Sequence, residues 1–289
     1  MQVHLVDGTY ELYRQHFGQA VHHRDPPPFA GTIGVLSSTI QLLADGATHI
    51  GVATDHVIES FRNELYSGYK TSEGMEQVLL EQIPVTEDAL DALGVTVWPM
   101  VEFEADDALG SAVEVACDDR RVHKVFILTP DKDLGQCVQG KRVVQLDRRT
   151  NTIIDEEALR AKFGVGPQSI VDYLALVGDS ADGFPGLPGW GAKSASVLLA
   201  KYRNIDVIPD DHRQWATDGV VVRGAEKLAA TLRDHRGDAE LFRILATLVT
   251  TVSVGVVDDW KWNGPTSKFD EVATRLGAPQ LIERLRRLK

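Results

Sequence analysis

Apolar positions follow two regimes along this chain. Up to about residue 150 they gather in short runs, at 3–7, 49–55, 95–99, 124–131 and 141–147. Between the runs, at about 32–45, 75–93 and 104–117, they recur every three or four positions, the spacing of a helix with one inward face. Runs that are apolar throughout, rather than alternating with polar residues, suit strands covered on both faces. Strand and helix in turn predict an α/β fold with a parallel central sheet and helices on both its faces. Beyond about Asp155 the runs cease, and helical spacing dominates at 156–163, 167–177, 192–202, 224–232, 239–247 and from 269 onward. This change predicts an α/β domain over 1–154 and a helical domain over 155–289. There is no clean internal repeat, and the proline triplet at 26–28 is the one low-complexity stretch.

In a parallel sheet, ligands gather outside the carboxyl ends of the strands. Asp7, Asp55 and Asp131 each end an apolar run, and Glu104 follows another. Glu104, Asp106 and Asp107 place three acids within four residues. Taken alone they read as solvated first-turn acids complementing a helix dipole, worth up to about 1 kcal/mol each. Taken with the strand-end acids they point to a hard cation, because ionised carboxylates repel at such range unless a positive charge lies between them. Asp133 follows Asp131 by two positions, and Asp179 and Asp182 close a later helical segment, giving nine acids from five segments. No paired His or Cys accompanies them, nor a Gly-x-Ser-x-Gly elbow. An all-carboxylate set suits Mg²⁺ or Mn²⁺. Two such ions about 4 Å apart suit phosphoryl displacement, one activating water and both neutralising charge. Lys132, between two of the acids, reads either as an ordinary exposed lysine or as a cation that helps hold two acids together, and the exposed reading is the one expected.

Composition narrows the field without deciding it. With 289 residues, 43% hydrophobic and 25% charged, the chain can bury a real core. No apolar run approaches the roughly 20 residues of a membrane span. The N-terminal residues lack a charged, cleavable leader pattern, so a cytoplasmic protein is expected. Cys117 and Cys137 have no metal-ligand spacing and read as buried free thiols. A net charge of −12 argues against a nucleic-acid partner, unless many of the acids form one cation-binding cluster that says little about the remaining surface.

Directly after Asp182 comes the glycine-rich stretch 183–191, followed by Ala192, Lys193 and Ser194. A phosphate-binding P-loop needs adjacent Gly-Lys after a strand. Here Ala192 intervenes and the preceding segment reads as helix, so no nucleotide cofactor is expected. A glycine-rich turn opening onto the helix 192–202 still presents outward N–H groups to an anion. Three basic residues and no acid lie between Gly183 and Ile205. Gly186, Gly189, Gly191, Lys193, Ser194 and Lys201 are therefore candidate contacts to a DNA backbone. The plainer reading is a tight helix connection that needs glycine.

Together, Val6-Asp-Gly-Thr, the stretch Phe61-Arg-Asn-Glu-Leu-Tyr-Ser-Gly-Tyr-Lys70, Glu104-Ala-Asp-Asp, Asp131-Lys-Asp-Leu, and the run from Asp172 to Lys193 resemble the 5′-nuclease family. That family includes phage 5′-exonucleases, flap endonucleases and the nuclease domain of bacterial type-A DNA polymerases. The resemblance runs from residue 3 to about 250. It implies a PIN-like nuclease fold and a helix–three-turn–helix element over about 167–203 that binds duplex DNA, with K⁺ held by the turn carbonyls. It implies that Asp7, Asp55, Glu104, Asp106, Asp107, Asp131, Asp133, Asp179 and Asp182 match metal-site acids. Arg14 and Lys70 match cations that contact the scissile phosphate, and an arch spans about 62–90. Three positions depart from the family pattern. Glu73 stands where an arginine is usual, and with Gly74 and the short run after it suggests a reduced arch. Pro130 replaces the usual glycine, and Gly183 the usual asparagine.

The resulting expectation is a stand-alone, monomeric, metal-dependent structure-specific 5′ nuclease acting on DNA flaps or 5′ ends in replication and repair. Its rivals are a PIN-type ribonuclease and a non-catalytic DNA-binding scaffold of the same fold.

Overall fold

Four of the apolar runs become parallel strands. β1 (Gln2–Asp7) lies between β2 (His49–Asp55) and β4 (Lys124–Leu128), and β3 (Thr96–Met100) pairs with β2. Val3 sits opposite His49 on one side and Val125 on the other. β2 is buried at every position before Asp55, as a strand covered on both faces must be. The helix Ala105–Asp118 packs across this sheet, and Gly8–His22 and Gln82–Leu93 pack on it as well. The computed structural model describes residues 1–22 and 28–288. Pro26 and Pro27 of the proline triplet, and Lys289 of the terminal basic run, lie outside the described residues.

The chain divides into two units. The first comprises Met1–Ser60, Ser72–Thr129 and Val249–Lys289; the second comprises Phe61–Thr71 and Pro130–Leu248. The stretch Val249–Lys289 thus returns to the first unit. There Trp262 donates its backbone N–H to Thr48 and its indole N–H to Leu93, and Arg284 donates to Ser37. In the second unit, helices Ile170–Val177, Ala192–Tyr202, Ala225–Asp234 and Arg236–Ala246 surround one apolar core that includes Leu174, Phe184, Trp190, Leu198 and Trp215. β5 (Val143–Asp147) pairs antiparallel with β6 (Thr152–Ile154) there. β6 escapes the apolar pattern because Thr152 and Ile153 are exposed. It exists because Asp147 accepts the Arg149 N–H and the Thr150 hydroxyl, closing a turn in which Asn151 takes φ +53°.

Three helices depart from the expected pattern for local reasons. Gly8–His22 has no clean apolar stripe because its inward face carries Glu11, only 1% exposed. The expected helix over 75–93 is split into Gln77–Leu80 and Gln82–Leu93, since Pro84 has no N–H and fits only a first turn. The terminal helix is two pieces, Phe269–Arg275 and Gln280–Arg286, parted by Gly277 at φ +73° and Pro279.

The segment 61–71 is fastened by a buried cation. Arg62, 2% exposed, donates Nε–H to the carbonyl of Leu245 and Nη2–H to that of Thr247, at the C-terminal end of Arg236–Ala246. A guanidinium suits the negative end of a helix dipole, and its Cζ lies 4.6 Å from the Phe61 ring centroid.

Gly51 on β2 leaves room for the Trp98 indole: a Cβ there would lie 2.0 Å from the ring. Trp98 is itself held edge-on against Trp260, with centroids 5.4 Å apart. Gly51→Ala should therefore destabilise the protein by about 1–3 kcal/mol, the usual cost of overpacking. It should lower the melting temperature by several degrees, as calorimetry or circular dichroism would show.

Candidate active site

In the second unit, Asp133, Asp179 and Asp182 each place a carboxylate oxygen within 4.8 Å of the others, and all three are buried. Two turns carry them. Asp133 opens the 3₁₀ turn Asp133–Cys137, whose Leu134 and Cys137 face inward. Asp179 and Asp182 lie in a loop closed on itself: Asp179 donates N–H to Phe184 O, and Gly183 and Phe184 donate back to Asp179 O. Phe184 anchors that loop by stacking on Phe242, at 5.7 Å. Gly183 has φ +85°, and a Cβ on it would lie 2.3 Å from the carbonyl oxygen of Gly68. Only glycine permits so close an approach at that φ. The approach lets Lys70 donate its backbone N–H to Asp182 O at 2.9 Å.

Two lysines answer the negative charge. Lys70 Nζ lies 2.9 Å from Asp182 Oδ1, and Lys132 Nζ lies 2.5 Å from Asp179 Oδ2. The expectation of an ordinary exposed Lys132 is thus corrected: its stem reaches back over the turn to a buried acid. Charge still dominates. Burial, and then the neighbouring Asp182, push Asp133 well above the usual carboxylate range. Burial and Asp182 also raise Asp131, against the opposing pull of the Asp133 N–H and Lys70. Asp133 Oδ1 is buried with no hydrogen-bond partner. A buried oxygen without a partner costs about 1–3 kcal/mol, and a hard cation would satisfy it. Carboxylate oxygens alone, close together and partly unsatisfied, fit a divalent metal ion.

In the first unit, Asp7 and Asp55 stand at the carboxyl ends of β1 and β2, and Glu104, Asp106 and Asp107 open the helix after β3. Asp7 accepts the Tyr10 N–H and the Thr129 hydroxyl, Asp55 accepts the Ala105 N–H, and Glu104 accepts the Ser60 hydroxyl at 2.7 Å. Asp106 is half-buried in the first turn of Ala105–Asp118. Asp107, fully buried, accepts N–H groups from Glu104 and Val249. Its oxygens cap the helix, as a first-turn acid can, and also tie down the returning chain, a duty that its position in a run of acids did not reveal. Arg14 lies along Glu11, donating Nε–H to one carboxylate oxygen and Nη2–H to the other. Glu11 also accepts from Gln15 and from Ser38 at 2.5 Å. Sequence reasoning missed Glu11, Ser60 and Thr129. Of these only Glu11 left a signal, its i, i+3 spacing to Arg14.

The glycine-rich stretch is a turn pinned from inside by Phe184, Leu187 and Trp190, with Leu187 donating to Leu176 O. Gly186 is a packing residue: it has φ +68°, and a Cβ would meet Gly178 N at 2.3 Å. Gly189, at φ +79°, borders open space, as does Gly191. Gly191 caps Ala192–Tyr202 and donates its N–H to the Ser194 hydroxyl. Lys193 and Lys201 are exposed.

Two family models together match most of the chain. Residues 2–164 match the "5′-3′ exonuclease, N-terminal resolvase-like domain" and residues 165–268 the "5′-3′ exonuclease, C-terminal SAM fold". DNA polymerase I of Pseudomonas aeruginosa is 33% identical over 278 residues, covering 90% of this chain. The chain spans only 28% of that polymerase's length. A 5′-3′ exonuclease of Buchnera aphidicola subsp. Schizaphis graminum is 29% identical over 259 residues, which is 88% of each chain. Among solved structures, the bacteriophage T5 flap endonuclease in complex with DNA and metal ions shares the fold, with a TM-score of 0.67 at 19% identity. That match covers 100% of this chain and 98% of the phage protein. The chain belongs to the 5′-3′ exonuclease family.

Proposed function

We propose that this protein is a divalent-metal-dependent 5′ nuclease that hydrolyses DNA phosphodiesters at 5′ flaps or 5′ ends, in replication and repair. The observation that carries the reading is the partnerless, buried Oδ1 of Asp133 in a cluster with Asp179 and Asp182. Membership of the 5′-3′ exonuclease family supports it, as does the likeness in fold to a phage flap endonuclease seen with DNA and metal ions. Mg²⁺ or Mn²⁺ is the cofactor that the donor chemistry favours. Asp131, Asp133, Asp179 and Asp182 hold it in the second unit, and Asp7, Asp55, Glu104 and Asp106 are the metal-site acids of the first. K⁺ at the carbonyls of the turn after Gly183 belongs to the same reading.

When bound, divalent ions supply Lewis-acid polarisation of the phosphodiester and a water of lowered pKa. The chain's own residues supply position and charge. Lys70 is fixed through its backbone to Asp182, so its ammonium stands beside the acids where a phosphate oxygen would be neutralised. Arg14, whose Nε–H and Nη2–H are donated to Glu11, is the second cation assigned to the scissile phosphate, through the donors that Glu11 leaves over. Gly189, Gly191, Lys193, Ser194 and Lys201 contact the duplex backbone without reading its sequence, and Gly186 shapes the turn that presents them. Among the described residues, no helix is long and apolar enough to cross a membrane.

A labelled 5′-flap duplex, a matched RNA and an EDTA control test the proposal directly. Metal-dependent cleavage of the DNA is expected; none would refute the reading, and preferential cutting of the RNA would favour a ribonuclease. Asp131→Ala should lower cleavage about a hundredfold or more, since even partners one layer out from a metal cost about 10- to 100-fold. Duplex binding in a mobility-shift assay should be retained, and normal turnover would remove Asp131 from the mechanism. A third expectation concerns pH. Asp131 and Asp133 are raised in the folded state, so the metal-free fold keeps protons that the unfolded chain releases above about pH 4. Its stability should therefore fall as pH rises from there through the raised values. Metal uptake in that window should release protons. Calorimetric titration with Mn²⁺ above about pH 4, in buffers of different ionisation enthalpy, should give heats that differ with the buffer. Heats independent of buffer throughout would contradict it.

A further inference from the structure

We propose that Lys132 is a built-in competitor cation, which sets how tightly Asp179 takes a divalent metal ion. The inference rests on the reading of Asp133, Asp179 and Asp182 as a metal site. Within that cluster the oxygens are not equivalent. Asp133 Oδ1 has no partner. Asp179 Oδ1 accepts the Ala181 N–H at 2.9 Å, and its Oδ2 holds Lys132 Nζ at 2.5 Å. An arriving ion thus meets an open oxygen on Asp133 and a lysine on Asp179.

The two partners of that ion pair differ in mobility. The Asp179 side chain is 2% exposed and lies in a loop closed by three backbone hydrogen bonds, whereas the Lys132 side chain is 36% exposed. An ammonium on a flexible four-carbon stem can leave for water at small cost; the acid cannot follow. Lys132 is also tethered, since Asp131 and Asp133 flank it. Once displaced it remains within a few ångströms, at high effective concentration, and competes continuously. Lys70 differs, because its backbone N–H is bonded to the Asp182 carbonyl and its segment is fastened by Arg62. Lys132 has a second effect in the metal-free protein. Three buried carboxylates repel one another, and its charge offsets part of that repulsion.

The test uses the 289-residue chain and Mn²⁺ as the probe, with affinity read by calorimetric titration or by the electron paramagnetic resonance of free Mn²⁺. K132M, which keeps the stem and removes the charge, should bind Mn²⁺ about tenfold more tightly, a conservative figure for one unit charge a few ångströms away. K132R should stay near wild type. Metal-free K132M should melt lower than wild type, and Mn²⁺ should raise its melting temperature by more. Should metal-free K132M be too unstable to titrate, that difference in melting shift reads the same quantity. If wild type binds Mn²⁺ and K132M binds equally or more weakly, the competitor role is overturned while the metal site stands. If neither binds Mn²⁺, the site itself falls and the inference with it.

Discussion

Mutual repulsion among buried carboxylates is the constraint around which the second unit is arranged. Asp133, Asp179 and Asp182 sit closer than three ionised acids would choose. The chain holds them there by backbone means: a 3₁₀ turn, a self-closed loop, and glycines that allow main chain to lie against main chain. The charge is met by two lysines, Lys70 on Asp182 and Lys132 on Asp179. The lysines offset part of that repulsion, but the cluster still destabilises the metal-free fold, as the raised Asp133 carboxyl shows. Charge concentrated at such cost is the mark of a site kept for something positive, and stability is given up locally for it.

The first unit reaches a similar end by another route. Its acids come from the geometry of a parallel sheet, which delivers consecutive strand ends to one edge. There the carboxylates are individually supported: Asp7 by Thr129, Glu104 by Ser60, Asp55 by the Ala105 amide. Each accepts a hydrogen bond from a neutral donor, which helps to aim its carboxylate. The same acids in a turn of free loop would be solvated and unaimed.

Much of this was legible before any coordinates. β1, β2 and the helix Ala192–Tyr202 are plain in the sequence because burial on both sides of a strand, and on one side of a helix, writes itself in apolar spacing. The strand-end acids were legible for the same reason, since a run that stops at Asp names its own edge. What was hidden is what spacing does not encode. Gly8–His22 buries an acid, so its stripe is broken. β6 exists through a turn rather than an apolar run. Lys132 looks exposed because nothing in a linear reading shows a stem folding back to Asp179. Asp107 sits among acids read as ligands, yet its oxygens serve backbone amides.

Arg62 has one more consequence. The strap of chain that bears Lys70 hangs from a guanidinium buried against helix carbonyls. A guanidinium keeps its proton at any pH a cell meets. The acids nearby gain and lose protons, but this fastening does not, so the strap's grip is indifferent to acidity even where the charges it serves are not.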